Sequence, residues 1–191
     1  MTNREIKEKI LRQHGTVIWF TGLPCSGKST LANALSNKLS EMGFFCHVLD
    51  GDEVRKGINK DLGFSIADRL ENIRRVAEIC KILTDNGIIT LCSFVSPTEE
   101  IRNTAKNIIG SNDFLEIYVS TSVEICEKRD VSGLFKKSRK GEITDFTGIS
   151  SPFEVPRHPD RVIDTSRNTL AESIELLLPV VQKRIQLIPE V

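Results

Sequence analysis

The 191-residue chain is predicted to fold as an α/β protein, a three-layer αβα sandwich around a five-stranded, mostly parallel sheet. Two observations predict it. Five short apolar runs alternate with helix-period segments along most of the chain, as parallel strands joined by helical crossovers require. One of those runs, Val17–Phe20, leads into a glycine-bracketed loop that opens a helix. An apolar content of 39% over this length can bury one sizeable core, so a single domain over residues 1–191 is expected. The 26 basic and 26 acidic residues cancel, which argues against a nucleic-acid coat or a polybasic membrane surface.

The elements follow in order. Asn3 to Arg12 places Ile6, Ile10 and Leu11 at helical spacing, predicting a short amphipathic helix lying on the body and carrying no chemistry. After the first strand, a helix runs from Ser29 to Met42 and stops at Gly43; Phe44 to Leu49 is a second strand, with His47 as a packed or edge residue. Lys56 to Ile66 reads as irregular and Asp68 to Asn86 as a long helix closed by Gly87. Ile88 to Val95 is a continuous apolar run suited to a central parallel strand. The run ends in Ser96-Pro97 before the next helix, Thr98 to Ile109; Ser96 could contact a substrate or be modified, or else serve as N-cap with Pro97 as the first helical residue. Phe114 to Val119 is a strand, Ser122 to Arg129 a short helix, Arg161 to Asp164 a last strand, and Leu170 to Gln186 a final helix with a bend at Pro179. From Asp130 to Pro156 periodicity disappears and Lys136, Lys137, Arg139 and Lys140 accumulate, so residues 130–156 read as a basic lid over a site that must exclude water.

The loop Gly22-Leu23-Pro24-Cys25-Ser26-Gly27-Lys28-Ser29-Thr30 fits G-x-x-x-x-G-K-[ST]. Such a P-loop curls its N–H groups around a phosphate at the positive end of a helix. Lys28 is expected to reach the β- and γ-phosphates of a nucleotide while packing against nothing essential, and Ser29 to offer its hydroxyl to Mg²⁺. The second strand runs into Asp50-Gly51-Asp52, and a carboxyl-terminal strand end is where open α/β sheets bind ligands. Two carboxylates there suit proton acceptance or Mg²⁺ organisation, and equally suit helix capping. Arg69, Asn72 and Arg75 share a helix face that could grip an anion. The five cysteines, Cys25, Cys46, Cys80, Cys92 and Cys126, are scattered, without the close pairs of a zinc site. Reduced thiols, no apolar signal segment and no membrane-length run predict a soluble, cytoplasmic protein.

Several longer blocks accompany the P-loop: Leu49-Asp50-Gly51-Asp52-x-Val54-Arg55, Asp61 to Ser65, Glu71 to Arg75, Phe94-Val95-Ser96-Pro97, Arg129-Asp130-Val131-x-Gly133 to Lys137 and Phe146-Thr147-Gly148-Ile149. In this order, over about residues 16 to 165, the set resembles the adenylyl-sulfate (APS) kinase family of P-loop kinases. The resemblance implies transfer of the γ-phosphoryl of ATP to the 3′-hydroxyl of adenosine 5′-phosphosulfate, with ATP and Mg²⁺ as cofactors, a small nucleotide as substrate and a homodimer as the assembly. It implies catalytic roles for Lys28, Asp50, Asp52 and Ser96, and ATP contacts at Gly22, Cys25, Ser26, Gly27, Lys28, Ser29, Thr30 and Arg129. The acceptor set it implies is Asp52, Arg55, Phe64, Arg69, Asn72, Val95, Ser96, Ser132 and Phe146, with Phe64 and Phe146 sandwiching the base. Two positions depart from the family pattern: Thr98-Glu99 stands where Tyr-Arg is usual, and Ser132 where lysine is usual. Both remove positive charge, and Glu99 is expected to set an anion beside the acceptor pocket. These departures leave open a diverged kinase acting on the 3′-hydroxyl of another nucleotide, such as a cytidine diphosphate conjugate. A nucleotide switch without transfer would need broken catalytic groups, and Lys28, Ser29, Asp50 and Asp52 are all present.

Overall fold

The computed structural model describes residues 1–187. Its sheet is wholly parallel and five-stranded: β1 (Val17–Gly22), β2 (Cys46–Asp50), β3 (Ile89–Ser93), β4 (Phe114–Val119) and β5 (Arg161–Ile163), in the spatial order β2-β3-β1-β4-β5. β1 and β3 are buried along their full lengths, as their unbroken apolar character demands, whereas β2 is an edge strand with His47 exposed. The helices are α1 (Asn3–Leu11), α2 (Lys28–Glu41), α3 (Gly51–Lys56), α4 (Ile66–Thr84), α5 (Glu99–Ile109), α6 (Val123–Arg129), α7 (Leu134–Arg139) and α8 (Leu170–Ile185).

Two cores cover the two faces of the sheet. On one, Leu31, Leu35 and Leu39 of α2 and Leu177 and Val181 of α8 pack on Ile18, Phe20 and Ile117. On the other, Val76 and Cys80 of α4 and Ile101 and Ala105 of α5 pack on Val17, Trp19 and Cys92. Because β1 has β3 on one side and β4 on the other, the chain changes direction of winding at β1, and a crevice opens at the carboxyl ends of β1 and β3.

The structure corrects several sequence-based boundaries. Residues 51–56, to which the sequence assigned no element beyond the helix-capping role open to the aspartates, form the helix α3. α4 begins two residues early because the Ser65 hydroxyl caps Asp68 N–H. α8 ends at Ile185, with Pro179 inside the helix as expected. α1 lies on the body, but with two of its three apolar residues outward: Ile6 is 45% and Ile10 73% exposed, while Leu11 is half-buried and Glu8 buried. The lid is not structureless, for residues 134–139 form α7, and Phe135 and Phe146 meet edge to face at 4.9 Å in a small core with Leu23 and Cys126.

Candidate active site

β1 ends at Gly22, where a Cβ would lie 2.6 Å from the Val119 carbonyl of the neighbouring strand, so only glycine lets the chain leave the sheet here. Five residues on, Gly27 at φ +102° is the N-cap of α2. The loop between them is braced from behind. Thr121 and Thr165 stand 2.7 Å apart and both donate to the Ser26 carbonyl, at 3.0 and 2.8 Å. Arg129 of α6 donates to the Thr165 hydroxyl at 2.6 Å and to its carbonyl at 2.9 Å. In front lies a cavity of about 460 Å³ walled by Cys25, Gly27, Lys28, Ser29, Thr30 and Arg129, together with Thr165 and Asn168. The first turn of α2 stands in this wall, and its N–H groups, which have no intrahelical acceptor, suit an anion. Gly22 and Ser26 shape the loop from outside the cavity; the Ser26 hydroxyl is buried with no hydrogen-bond partner.

A second cavity, about 440 Å³, lies in the crevice at the ends of β1, β2 and β3. All nine residues expected to bind an acceptor wall it: Asp52, Arg55, Phe64, Arg69, Asn72, Val95, Ser96, Ser132 and Phe146. Cys25, Lys28 and Ser29 belong to both cavities, so the two meet at the P-loop lysine and serine. At that junction the Ser29 hydroxyl donates to Asp50 Oδ2 at 2.5 Å and lies 3.0 Å from the Ser93 hydroxyl. Asp50 Oδ1 accepts the Asp52 N–H at 2.9 Å as N-cap of α3, so the carboxylate serves both capping and the site.

Lys28 is not free of packing, as the sequence reading expected. It is buried, and its ammonium donates to the Leu23 carbonyl at 2.7 Å. Burial pulls its pKa down to about 8, against the opposing pull of Asp50 and Asp52 among others. The second cavity is cationic on its far wall. Arg55 donates to the Leu62 and Gly63 carbonyls and lies 4.5 Å from the Phe64 ring centroid; Arg69 lies 5.6 Å from the same ring. Arg69 also donates to the Phe64 carbonyl at 2.9 Å and, across the cavity, to the Asp145 carbonyl of the lid at 2.7 Å. Burial lowers the pKa of both arginines, yet both stay cationic at any physiological pH. The two expected stacking rings differ in support: Phe64 is 59% exposed on its loop, whereas Phe146 is 9% exposed against Phe135. Asn72 is held by Asn59 at 3.0 Å.

Two further expectations are corrected. Ser96 is not the N-cap of α5; Thr98 is, accepting the Ile101 N–H, and Ser96 sits at φ +43° with its hydroxyl accepting the Trp19 indole N–H at 3.0 Å. Glu99 does not stand in the acceptor cavity. Its N–H is taken by Glu154 at 2.7 Å and its carboxylate pairs with Arg157 at 3.2 Å. Ser132 does wall the cavity, but its hydroxyl is turned onto Asp130 at 2.6 Å. Sequence reasoning missed Thr121, Thr165 and Asn168. Thr165 follows β5 almost directly, so the strand-end rule applied there would have found it.

A P-loop at the switch point of a parallel sheet, with two cavities joined at its lysine, defines a P-loop phosphotransferase. The pattern of the Adenylylsulphate kinase family matches residues 14–164. An adenylyl-sulfate kinase of Bacteroides thetaiotaomicron is 57% identical over 186 residues, covering 97% of this chain and 92% of the relative. One from Clostridium kluyveri is 47% identical over 186 residues, covering 97% and 93%. A solved structure of the Mycobacterium tuberculosis APS kinase CysC in complex with AMPPNP and APS superposes with a TM-score of 0.85 at 41% identity, covering 88% of this chain and 98% of that one. The chain belongs to the adenylylsulphate kinase family.

Proposed function

We propose that the chain transfers the γ-phosphoryl of ATP to the 3′-hydroxyl of adenosine 5′-phosphosulfate, yielding 3′-phosphoadenylyl sulfate and ADP. The observation that carries this reading is the junction of the two cavities at Lys28 and Ser29, since in-line transfer needs donor and acceptor on either side of one phosphoryl group. ATP occupies the first cavity, its phosphates over the α2 N-terminus and Lys28, with Thr30 and Arg129 beside it. The 3′-hydroxyl lies near Asp50 and Asp52, where a carboxylate accepts its proton. Arg55 and Arg69 neutralise the phosphosulfate, Asn72, Val95, Ser96 and Ser132 complete the wall, and Phe64 and Phe146 stack the base. Base stacking of this kind contributes roughly 1–3 kcal/mol per base.

Mg²⁺ fits the donor set at the junction, which is all oxygen: the Ser29 hydroxyl with Asp50 and Asp52 nearby. Bound there, it would neutralise charge on the transferring phosphates. The remaining roles belong to the chain itself: Lys28 holds the developing negative charge, and the lid over residues 130–156 excludes water.

Glu99, paired with Arg157 outside the cavity, no longer favours a different acceptor nucleotide. We further propose that the chain acts as one kinase domain, as a homodimer, in the cytoplasm. Its five free cysteines fit a reducing compartment, and among the described residues no helix is long and apolar enough to cross a membrane. A coupled ADP-release assay with Mg-ATP tests the activity, comparing adenosine 5′-phosphosulfate with cytidine and guanosine nucleotides. Saturable turnover with the phosphosulfate, and product phosphorylated at the 3′ position, is expected. Turnover with another nucleotide alone would reassign the acceptor, and turnover that no acceptor stimulates would remove the kinase reading.

A further inference from the structure

Three non-glycine residues of the second cavity, Cys25, Ser96 and Asp145, have positive φ, at 61°, 43° and 57°. Such backbone persists only where the surroundings impose it. At Ser96 the imposing groups can be named. The Thr21 hydroxyl reaches the Val95 carbonyl at 2.8 Å and the Ser96 carbonyl at 3.3 Å, and Trp19 holds the Ser96 hydroxyl. The remaining one is Arg102, on α5, a residue the activity so far leaves without a role.

Arg102 is 4% exposed. Its Nη1 donates to the Ser96 carbonyl at 2.9 Å, its Nε lies 3.1 Å from Glu116 Oε1 of β4, and its guanidinium carbon is 5.9 Å from the centroid of Phe153. Phe153 closes the lid segment, stacks on Tyr118 at 5.9 Å, and is followed by Glu154, whose N–H donates to the Pro97 carbonyl at 2.8 Å. The acceptor-binding loop, the point where the lid rejoins the body, and β4 therefore meet on one side chain. A buried arginine–carboxylate pair seldom stabilises a fold more than apolar residues filling the same space. What the planar guanidinium supplies is one directed hydrogen bond, onto the Ser96 carbonyl, together with a charge beside Glu116 and a flat face toward Phe153.

We infer that Arg102 is a positioning residue for acceptor binding, holding Ser96 of the Val95–Ser96 wall in its left-handed conformation and registering that wall to the end of the lid. The inference rests on the acceptor cavity proposed above. Arg102 lies outside both cavities and touches neither nucleotide, so its loss should act on the acceptor and leave ATP binding alone.

Trp19, the one tryptophan in the chain, reports on this wall directly, because its indole donates to Ser96 and stacks on Phe94 at 5.3 Å. The experiment uses the full chain with Arg102→Lys and the double variant Arg102→Met/Glu116→Leu, which removes both buried charges together. Initial rates with adenosine 5′-phosphosulfate and with Mg-ATP, tryptophan emission during titration with the phosphosulfate, and thermal melts are recorded for each. The expected result is an acceptor KM raised about tenfold or more in the double variant. The KM for ATP should stay within about twofold of wild type, the emission change on acceptor binding should be lost or inverted, and Arg102→Lys should recover part of both. An unchanged acceptor KM in a folded double variant overturns the inference, as does a loss that affects both substrates equally. Failure of the wild type to turn over the phosphosulfate would instead overturn the acceptor assignment.

Discussion

Lys28 carries two pH dependences of opposite sign. Burial lowers its pKa in the folded chain to about 8 from an ordinary 10.5, so its own contribution to folding stability rises as pH climbs between those values, where the unfolded chain holds more protons. Phosphates placed on it act the other way, favouring the ammonium and raising its pKa. Their binding is therefore full below about pH 8 and weakens above it. A pH profile of kcat/KM for Mg-ATP should fall on its basic limb near pH 8, and Lys28→Arg, which stays charged, should move that limb upward even if the rate is lower. A flat profile to pH 9.5 would show that Lys28 is not the titrating group. Lys28→Ala should cost about 10²–10³ in kcat. Its effect on stability at neutral pH combines two opposed parts: the Leu23 carbonyl loses its donor, while a desolvated charge is removed. That second effect could not be foreseen from the motif, which specifies a lysine for phosphate and says nothing of the carbonyl it holds.

At the scale of elements, what the sequence disclosed follows from how long each signal is. β1, β4 and α2 were legible because their apolar runs and glycine stops are unambiguous over several residues. α7 was not, because it has six residues, only Phe135 and Ser138 buried, and cations on the rest of its last turn. At the start of α5, both Ser96 and Thr98 can cap; the acidic first turn, Glu99 and Glu100, marks Thr98, and Pro97 drew attention to the wrong one. α1 misled for an energetic reason. It is held by charge: Arg4 makes two bonds to Asp113, at 2.6 and 2.8 Å, and Glu8 accepts from Arg4 and from Gly15 N–H. His14 bridges Glu8 and Asp113 at 2.9 and 3.1 Å, Asp85 faces Arg4 at 3.7 Å, and Lys81 pairs with Asp85. Burial alone would raise the Asp113 pKa, but the Arg4 and His14 bonds hold it well below the carboxylate range; the bond to Asp113 raises His14 against its own burial. Asp113 thus contributes stability that is lost as pH falls below about 3.8. His14 contributes stability that is complete below about 6.5 and lost as pH rises through its raised value. Asp113→Asn should destabilise the chain by about 3 kcal/mol at pH 6. In urea titrations the gap to wild type should narrow by pH 8.5 as His14 loses its proton; a gap that widens would contradict this pairing.

At the scale of the whole molecule, the lid is tied to the body at three places, each on a different element. Near its start Arg139 forks onto Glu127 of α6 at 2.8 Å twice. At its end Glu154 binds the loop before α5. Between them, beside the small core that Phe146 shares with Leu23 and Cys126, the tip is hydrogen-bonded by a residue from the opposite wall, Arg69, whose fork takes the Phe64 carbonyl with one nitrogen and the Asp145 carbonyl with another. The sequence placed Arg69 on a helix face toward an anion, but a bond spanning 76 residues has no local signature. Arg69 thus does two things through separate atoms: it supplies charge to the acceptor cavity and closes one wall onto the other. Arg69→Lys keeps the charge and cannot hold both carbonyls, so it separates the two roles. It should raise the fraction of ATP hydrolysed without transfer, because a loosened tip admits water to the transferring phosphoryl group. It should also speed tryptic cleavage at the exposed Lys140, while acceptor KM rises less than in Arg69→Ala. Cleavage at Lys140 that stays at the wild-type rate in both variants would mean that the lid is held by its Phe135–Phe146 core and its two ends alone, with Arg69 serving the acceptor only.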